Sequence, residues 1–113
     1  MERLEKYKEV IHNLLQEYTE LYIRATDPTI ETVAISDDQH GEYLLMRVGW
    51  EIDKRIYRTI FHVRLNHSKI WIEEDWTKEG ISTELMRAGV HNTDIVLAFN
   101  PPNVRHLTEF AVA

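Results

Sequence analysis

The chain has 113 residues, no cysteine and a formal net charge of −6, with 43% apolar and 28% charged residues. These values are typical of one globular domain, residues 1–113, that is long enough to bury a core without cross-links. The missing thiols exclude disulfides and thiolate metal sites. Because no apolar run approaches the ~20 residues of a membrane span and the charged N-terminus lacks a signal-peptide core, we expect a cytoplasmic protein without a membrane anchor.

A helix is predicted at the N-terminus, from residue 2 to about residue 23. Its apolar side chains recur at spacings of three and four and form one stripe, made of Leu4, Tyr7, Ile11, Leu14, Leu15, Tyr18, Leu21 and Tyr22. Glu2 favours the helix start through its interaction with the helix dipole. Asp27 precedes Pro28, and a residue before proline avoids the helical region, so the helix should end there.

A first strand is predicted over residues 29–36, followed by a polar turn over residues 37–41. Val33 and Ile35 would lie on one face of this strand, and Ile30, Thr32 and Ala34 on the other. The adjacent aspartates that open the turn are interpreted as solvated turn residues, because no further patterned carboxylates accompany them as a metal loop would require.

Residues 42–76 predict an antiparallel meander, around which the rest of the chain is arranged. Three apolar and β-branched runs are separated by breaks at residues 52–54 and 66–69, which are too short for a crossover helix. One alternating set is expected to face the core: Leu44, Met46, Val48 and Trp50, then Tyr57, Thr59, Phe61, Val63 and Leu65.

The other alternating set of the meander is mixed in character. It contains Arg47, Arg58, His62, Arg64 and Glu73, together with Ile56, Ile60 and Trp71. Two interpretations remain open. The arginine stems could lie over apolar neighbours beneath water, or this basic-aromatic face could bind a partner, since Arg and Trp are enriched at interfaces.

The C-terminal third predicts a shorter helix and then a short strand. Thr77 is a plausible N-cap, and Gly89 occupies the position of a left-handed residue after the helix. Residues 95–99 form a fully apolar run that ends at Pro101 and Pro102, which cannot donate to a ladder. The fold class is therefore α+β: a long N-terminal helix, a four-stranded antiparallel sheet, a second shorter helix and a short C-terminal strand.

The tail, residues 107–113, has two interpretations. An apolar terminus can dock on the core of its own domain. Alternatively, the rigid proline pair and the residues after it, including Arg105, could be the segment by which a partner recognises the protein.

Recognisable catalytic motifs are missing from the sequence. It lacks HExxH, an EF-hand loop, a Gly-rich phosphate loop and GxSxG, and no acid stands two residues before a lysine as in restriction-type nucleases. We therefore expect no enzyme activity, no cofactor, no metal site and no catalytic residues. The acidic balance also disfavours direct binding to a phosphate backbone.

The blocks RLEKYKEVIHNLL, VGWEIDKRIY, HVRLNHSKIWIEEDWT, GISTELMRAGV and DIVLAFNPPNVRHLTEFAVA, in this order, resemble the XisI family of fdxN element excision controlling factors from cyanobacteria. The resemblance covers nearly the whole chain. His91 and Asn100 depart from the family pattern, which has proline and histidine at these positions. The family carries fold and surface signatures rather than catalytic ones.

The resemblance implies a non-enzymatic accessory factor that controls excision of a DNA element, a site-specific recombination, through a partner protein. The partner would be the nuclease-like factor XisH or the recombinase machinery. Direct DNA binding through the Arg-rich sheet face is the alternative, and a homodimer that buries this face is also expected. The candidate partner-binding residues are Arg47, Arg58, His62, Arg64, Trp71, Pro101, Pro102 and Arg105.

Overall fold

The computed structural model describes residues 3–25 and 28–113 as a sheet with helices on one side. Its elements are α1 (Arg3–Ala25), β1 (Ile30–Asp37), β2 (Glu42–Glu51), β3 (Lys54–Asn66), β4 (Lys69–Asp75), α2 (Ile81–Arg87) and β5 (Ile95–Leu97). Two 3₁₀ turns, Asn92–Asp94 and Pro102–Leu107, flank β5. The predicted α+β class and both helices are confirmed, whereas Glu2 and Asp27 lie outside the described residues.

The strands form one sheet in the order β1-β2-β3-β4-β5. The first four strands pair antiparallel, as the meander predicts, and β5 joins β4 in parallel as the short C-terminal strand. The turns between β2 and β3 and between β3 and β4 have two residues each, and they contain positive φ angles at Ile52, His67 and Ser68. Positive φ at both central residues matches the right-handed twist of the flanking strands in the second turn.

The core lies between α1 and one side of the sheet. The buried residues of α1 are Tyr7, Val10, Ile11, Leu14 and Leu15, whereas Leu4 and Leu21 of the predicted stripe remain exposed near its two ends. Each fully buried aliphatic side chain contributes ~1.5–3 kcal/mol, so this short stripe is sufficient to hold α1 on the sheet. Within the described ranges, no helix is both long and apolar enough to cross a membrane.

A β-bulge at Ile60 corrects the predicted faces of the meander. Leu45 pairs with Phe61, but Met46 pairs with Thr59, so Ile60 is an extra residue in β3. Directly paired residues share a face, and one extra residue reverses the alternation. The predicted core set in β3 is therefore divided between the two faces. Phe61, Val63 and Leu65 face α1, whereas Tyr57 and Thr59 face away from it.

In β2 the predicted core register is wrong. Tyr43, Leu45 and Arg47 are the buried residues of this strand, and Trp50 of the predicted set is exposed. The cause is that Glu42, the first residue of β2, is followed by four consecutive apolar residues, 43–46, so that either alternate set could have faced the core.

The start of α2 also differs from the prediction. The helix begins after Gly80, and Thr77 is not its N-cap. Asp75 at the end of β4 replaces it, because Asp75 Oδ2 accepts a hydrogen bond from the Ile81 backbone N–H at 2.6 Å. Its Oδ1 accepts from the Thr77 hydroxyl, also at 2.6 Å. The predicted left-handed residue is confirmed, since Gly89 has a φ of 98°.

A buried polar contact joins α1 to the turn that precedes β5. The Tyr7 hydroxyl of α1 donates to Asp94 Oδ2, at the entry to β5, and Asp94 is only 9% exposed. Arg3 lies 3.5 Å from the same carboxylate oxygen. Burial and then the bond to Asp94 raise the pKa of Tyr7 to about 12. A buried carboxylate without partners is costly, so this bond fixes the position of β5 under α1.

We expect Tyr7→Phe to lower the free energy of unfolding by ~1.5–3 kcal/mol, because the change removes a hydrogen bond to a buried charged acceptor. The native chain should also lose stability as pH rises from the unfolded Tyr pKa of 10 towards 12, since the unfolded tyrosine ionises first. Urea unfolding at neutral and alkaline pH measures both effects. In Tyr57→Phe, the control, an exposed hydroxyl without a described partner is removed and stability should hardly change.

Candidate functional site

The side of the sheet that faces away from α1, here called the open face, carries an apolar stretch with charged residues around it. Its members include Glu31, Val33, Ile35, Glu42, Leu44, Met46, Val48, Trp50, Arg55, Tyr57, Thr59, His62, Arg64 and Trp71. Ile35, Trp50 and Tyr57 are 45%, 52% and 65% exposed. Both helices pack against the other side of the sheet, with the core. Because continuous exposed apolar surface marks interaction sites, the open face is the candidate functional site.

A charged cluster made of Glu42, His62, Arg64 and Glu73 lies at the end of the open face near the β3–β4 turn. Glu42 Oε1 lies 2.8 Å from His62 Nε2, and Arg64 Nε donates to Glu42 Oε2 at 2.8 Å. Arg64 Nη1 also lies 3.7 Å from Glu73 Oε2. Burial alone would raise the pKa of Glu42, but the bonds from His62 and Arg64 outweigh it and hold this pKa below its ordinary value.

Arg105 attaches the C-terminal segment to the open face. Its guanidinium lies over the Trp71 ring, 5.8 Å from the centroid. Its Nε, Nη1 and Nη2 donate to the backbone carbonyls of Asn100 at 3.0 Å, Val112 at 3.3 Å and Ala98 at 3.4 Å. Asn100 takes part through its backbone, so this contact does not depend on the residue type at that position. A partner-binding role of Arg105 and Trp71 stays a prediction beside this structural one.

The predicted proline pair is exposed at the edge of the molecule. Pro101 has an extended backbone, with φ −58° and ψ 146°, and Pro102 begins the second 3₁₀ turn. After it, Phe110 packs against the core and the Ala111 N–H donates to the Ile95 carbonyl at 2.8 Å. The tail is thus docked on its own domain. Recognition of the exposed proline pair by a partner stays a prediction.

Arg47 and Arg58 do not lie with His62 and Arg64, so the predicted basic face is divided between the two sides of the sheet. Arg47 pairs with Arg58 on the α1 side and is only 3% exposed. Its Nη1 donates to the Thr32 hydroxyl at 2.6 Å, and its guanidinium lies 5.2 Å from the Tyr22 ring centroid.

Burial and then the charge of Arg58 lower the pKa of Arg47. Arg47 is a buried structural residue and is not available to a partner, whereas Arg58 is exposed.

The dimer face predicted from Ile56, Ile60 and Trp71 is not one surface. Ile60 is buried, and Ile56 lies on the α1 side of the sheet, whereas Trp71 lies on the open face.

The tip of the β2–β3 hairpin is a part of the site that sequence patterns missed. Ile52 is 92% exposed and has a φ of 58°, which costs a β-branched residue roughly 1–2 kcal/mol. Arg55 lies over the rings of Trp50 and Tyr57, at 5.4 and 5.5 Å from their centroids. The sequence signal is a two-residue turn that contains isoleucine where glycine or asparagine is usual.

A carboxylate at the opposite end of the sheet connects α1 to the β1–β2 turn. Asp38 Oδ1 accepts from the Tyr43 hydroxyl at 2.7 Å and lies 2.8 Å from His12 Nε2. The bond from Tyr43, followed by that from His12, lowers the pKa of Asp38. Within residues 3–25 and 28–113, no group of three or more His, Asp or Glu residues is placed to hold a metal ion.

Comparisons with known proteins agree on one family. The model of the XisI protein family matches residues 1–112. The crystal structure of a XisI-like protein from Anabaena variabilis ATCC 29413 is 34% identical, with a TM-score of 0.92 over 97% of this chain and 99% of that one. That of the fdxN element excision controlling factor XisI from the same organism is 37% identical, with a TM-score of 0.85 over 99% and 100%. No curated protein matches the chain.

We expect Arg47→Ala to lower the free energy of unfolding by about 2 kcal/mol or more, because it removes a buried hydrogen bond and the contact of the guanidinium with the Tyr22 ring. Arg58→Ala is the matched control, since it removes the same side chain from the directly paired, exposed position. Its effect should stay within ~0.5 kcal/mol. Chemical denaturation measures both, and equal effects would contradict the structural role of Arg47.

A second prediction concerns acid stability. The lowered pKa of Glu42 contributes stability that is present above its unfolded pKa and is lost as pH falls through its folded pKa. Glu42→Gln should therefore cost ~1 kcal/mol near neutral pH, and the cost should vanish in acid. Urea unfolding of both proteins from neutral to acidic pH tests this.

Glu51→Gln is the control for the acid-stability series. Glu51 is exposed on the same strand and makes no ion pair within the described residues, so its substitution should cost little at any pH. A Glu42 difference that did not change with pH would mean that the charge of Glu42 does not stabilise the fold.

Proposed function

This chain belongs to the XisI family, and we propose that it is a non-enzymatic excision controlling factor that acts by binding a partner protein on its open face. The proposal combines two supports. One is the similarity to a protein that is itself described as the fdxN element excision controlling factor XisI. The other is the open face, which is the observation that carries the mode of action.

The open face has the chemistry of a protein docking surface. Trp50 and Tyr57 each expose more than half of their side chains. Since an aromatic side chain buries ~150–250 Å² when covered, these two alone offer on the order of 200 Å². Half-buried Leu44, Met46 and Val48 continue the apolar surface between them and the charged cluster. Aromatic and methionine side chains are enriched where proteins dock.

The charges on this face support docking of a protein. Glu42 is paired with both His62 and Arg64, so the charges of this cluster would stay paired when the surface is covered. Burying an unpaired charge is the main cost of covering a polar surface. The charged cluster can therefore lie at the border of an apolar contact and orient the partner there without a large desolvation cost.

We propose the nuclease-like factor XisH, which accompanies XisI, as the partner. An accessory protein that binds such a factor needs no catalytic groups of its own. Its effect on DNA excision would come from bringing the partner to the recombination machinery or from holding it away.

Direct DNA binding through an Arg-rich sheet face has weaker support. Arg47 is buried under α1, and Arg64 is paired with Glu42 and Glu73. The net charge of −6 opposes the approach of a phosphate backbone. A gel shift by the pure protein at low salt that fades steeply with added salt would favour this alternative over the protein partner.

We expect the chain to form a complex with an XisH-type protein from the same genome when the two are co-expressed. Tyr57→Glu should weaken this complex by about tenfold or more, because it places a charge in the middle of an apolar contact. Pull-down followed by calorimetric titration of the purified proteins provides the measurement. The exposure of Tyr57 means that the variant should melt like the native chain.

Leu21→Glu is the matched control for this experiment. Leu21 is 56% exposed, close to the exposure of Tyr57, but it lies on α1 on the other side of the sheet. This variant should bind as the native chain does. The absence of a complex at micromolar concentration would overturn the partner hypothesis, and equal binding by both variants would overturn the assignment to the open face.

A further inference from the structure

The two edges of the sheet are finished in different ways. The β5 edge is only three residues long, and it is covered because Val96 pairs with Ala111 and the Ala111 N–H donates to the Ile95 carbonyl. The β1 edge is eight residues long, and among the described residues it pairs only with β2. An edge strand of this length presents a row of unpaired backbone donors and acceptors.

β1 also lacks the features that usually protect an edge. It contains no proline and no lysine, and its charged residues are Glu31 and Asp37, near its ends. Ala34, Ile35 and Ser36 are consecutive and all exposed. Because consecutive side chains point to opposite faces, this half of β1 is open on both faces and along its edge.

The free half of β3 provides a contrast within the same molecule. Residues 54–59 extend beyond the end of β4, because Asp75, the last residue of β4, pairs with Phe61. This free stretch carries Lys54, Arg55 and Arg58, and like charges repel a copy of the same strand. The chain thus protects one free edge with charge and leaves residues 32–36 of the other uncharged.

We propose that β1 pairs antiparallel with β1 of a second copy of this chain, about a twofold axis perpendicular to the sheet. A twofold contact between identical strands is self-complementary and closes after two copies. The two five-stranded sheets would then join edge to edge into one sheet. The open faces of both copies would lie on the same side, because this axis does not exchange the faces.

The charges of β1 select the register. Paired residues must share a face, so one residue of β1 must lie directly opposite its own copy across the axis. Registers centred on Val33 and on Ala34 both pair seven residues of the strand. Centring on Ala34 would place Glu31 opposite Asp37 of the second copy, and like charges directly opposite each other are unfavourable. Centring on Val33 places Glu31 opposite Ile35 of the second copy, so this register is the one proposed.

The absence of native cysteine makes single-cysteine variants a direct test. Directly opposite Cα atoms in an antiparallel pair lie ~4.5–5.5 Å apart, within the range of a disulfide. Val33→Cys should therefore give a covalent dimer under mild oxidation. Ala34→Cys should not, because its Cα would lie about 8 Å from its copy when each residue advances ~3.4 Å.

The native chain should show twice its 13.4 kDa mass in light scattering at high micromolar concentration. Tyr57→Cys reports on the competing arrangement, in which two copies pack open face to open face. A monomeric native chain would overturn the proposal. So would a dimer that cross-links through Tyr57→Cys or Ala34→Cys instead of Val33→Cys. These variants differ from those used to test partner binding, so either proposal can fail without the other.

Discussion

One extra residue in β3, Ile60, determines which charges the sheet presents to solvent. Side chains alternate along a strand, so a single insertion reverses the face of every residue on one side of it. Arg58 consequently shares the α1 side with Arg47, while His62 and Arg64 share the open face with Glu42. Without the insertion, Arg58 would join His62 and Arg64. The bulge therefore gathers Glu42, His62 and Arg64 at one end of the open face and keeps Arg58 off it.

Carboxylates provide the polar connections that hold the helices to this sheet. Asp94 accepts the Tyr7 hydroxyl, Asp38 lies between His12 and Tyr43, and Asp75 accepts the backbone N–H that begins α2. The first two reach α1 from residues distant in sequence, whereas the third joins the consecutive elements β4 and α2, and each carboxylate accepts or lies within hydrogen-bond distance of a donor. Part of the acidic excess of the chain is thus used internally, and the net charge alone does not describe its surface.

Much of the fold could be predicted from the sequence because its signals are local. The polar breaks between the strands are too short for a crossover, so they predicted antiparallel pairing. Pro28 and Gly89 predicted the helix ends to within a few residues. The candidate site was harder, because it depends on which face of each strand is covered. Four apolar residues at the start of β2 support either face, and the bulge at Ile60 has no glycine or proline to reveal it. Arg47 and Arg58 were correctly placed on one face, but burial of Arg47 could not be predicted, because it depends on the position of Tyr22.

The open face and the β1 edge are different kinds of surface, and this difference bears on how they could act together. The open face offers side chains perpendicular to the sheet, whereas the β1 edge offers backbone groups in its plane. Occupation of the edge leaves Tyr57 uncovered, because β3 lies two strands from β1. A second copy would therefore place two open faces side by side on one surface. A partner that contacts both would gain affinity from the effective concentration of the second site, without any new contact within either face.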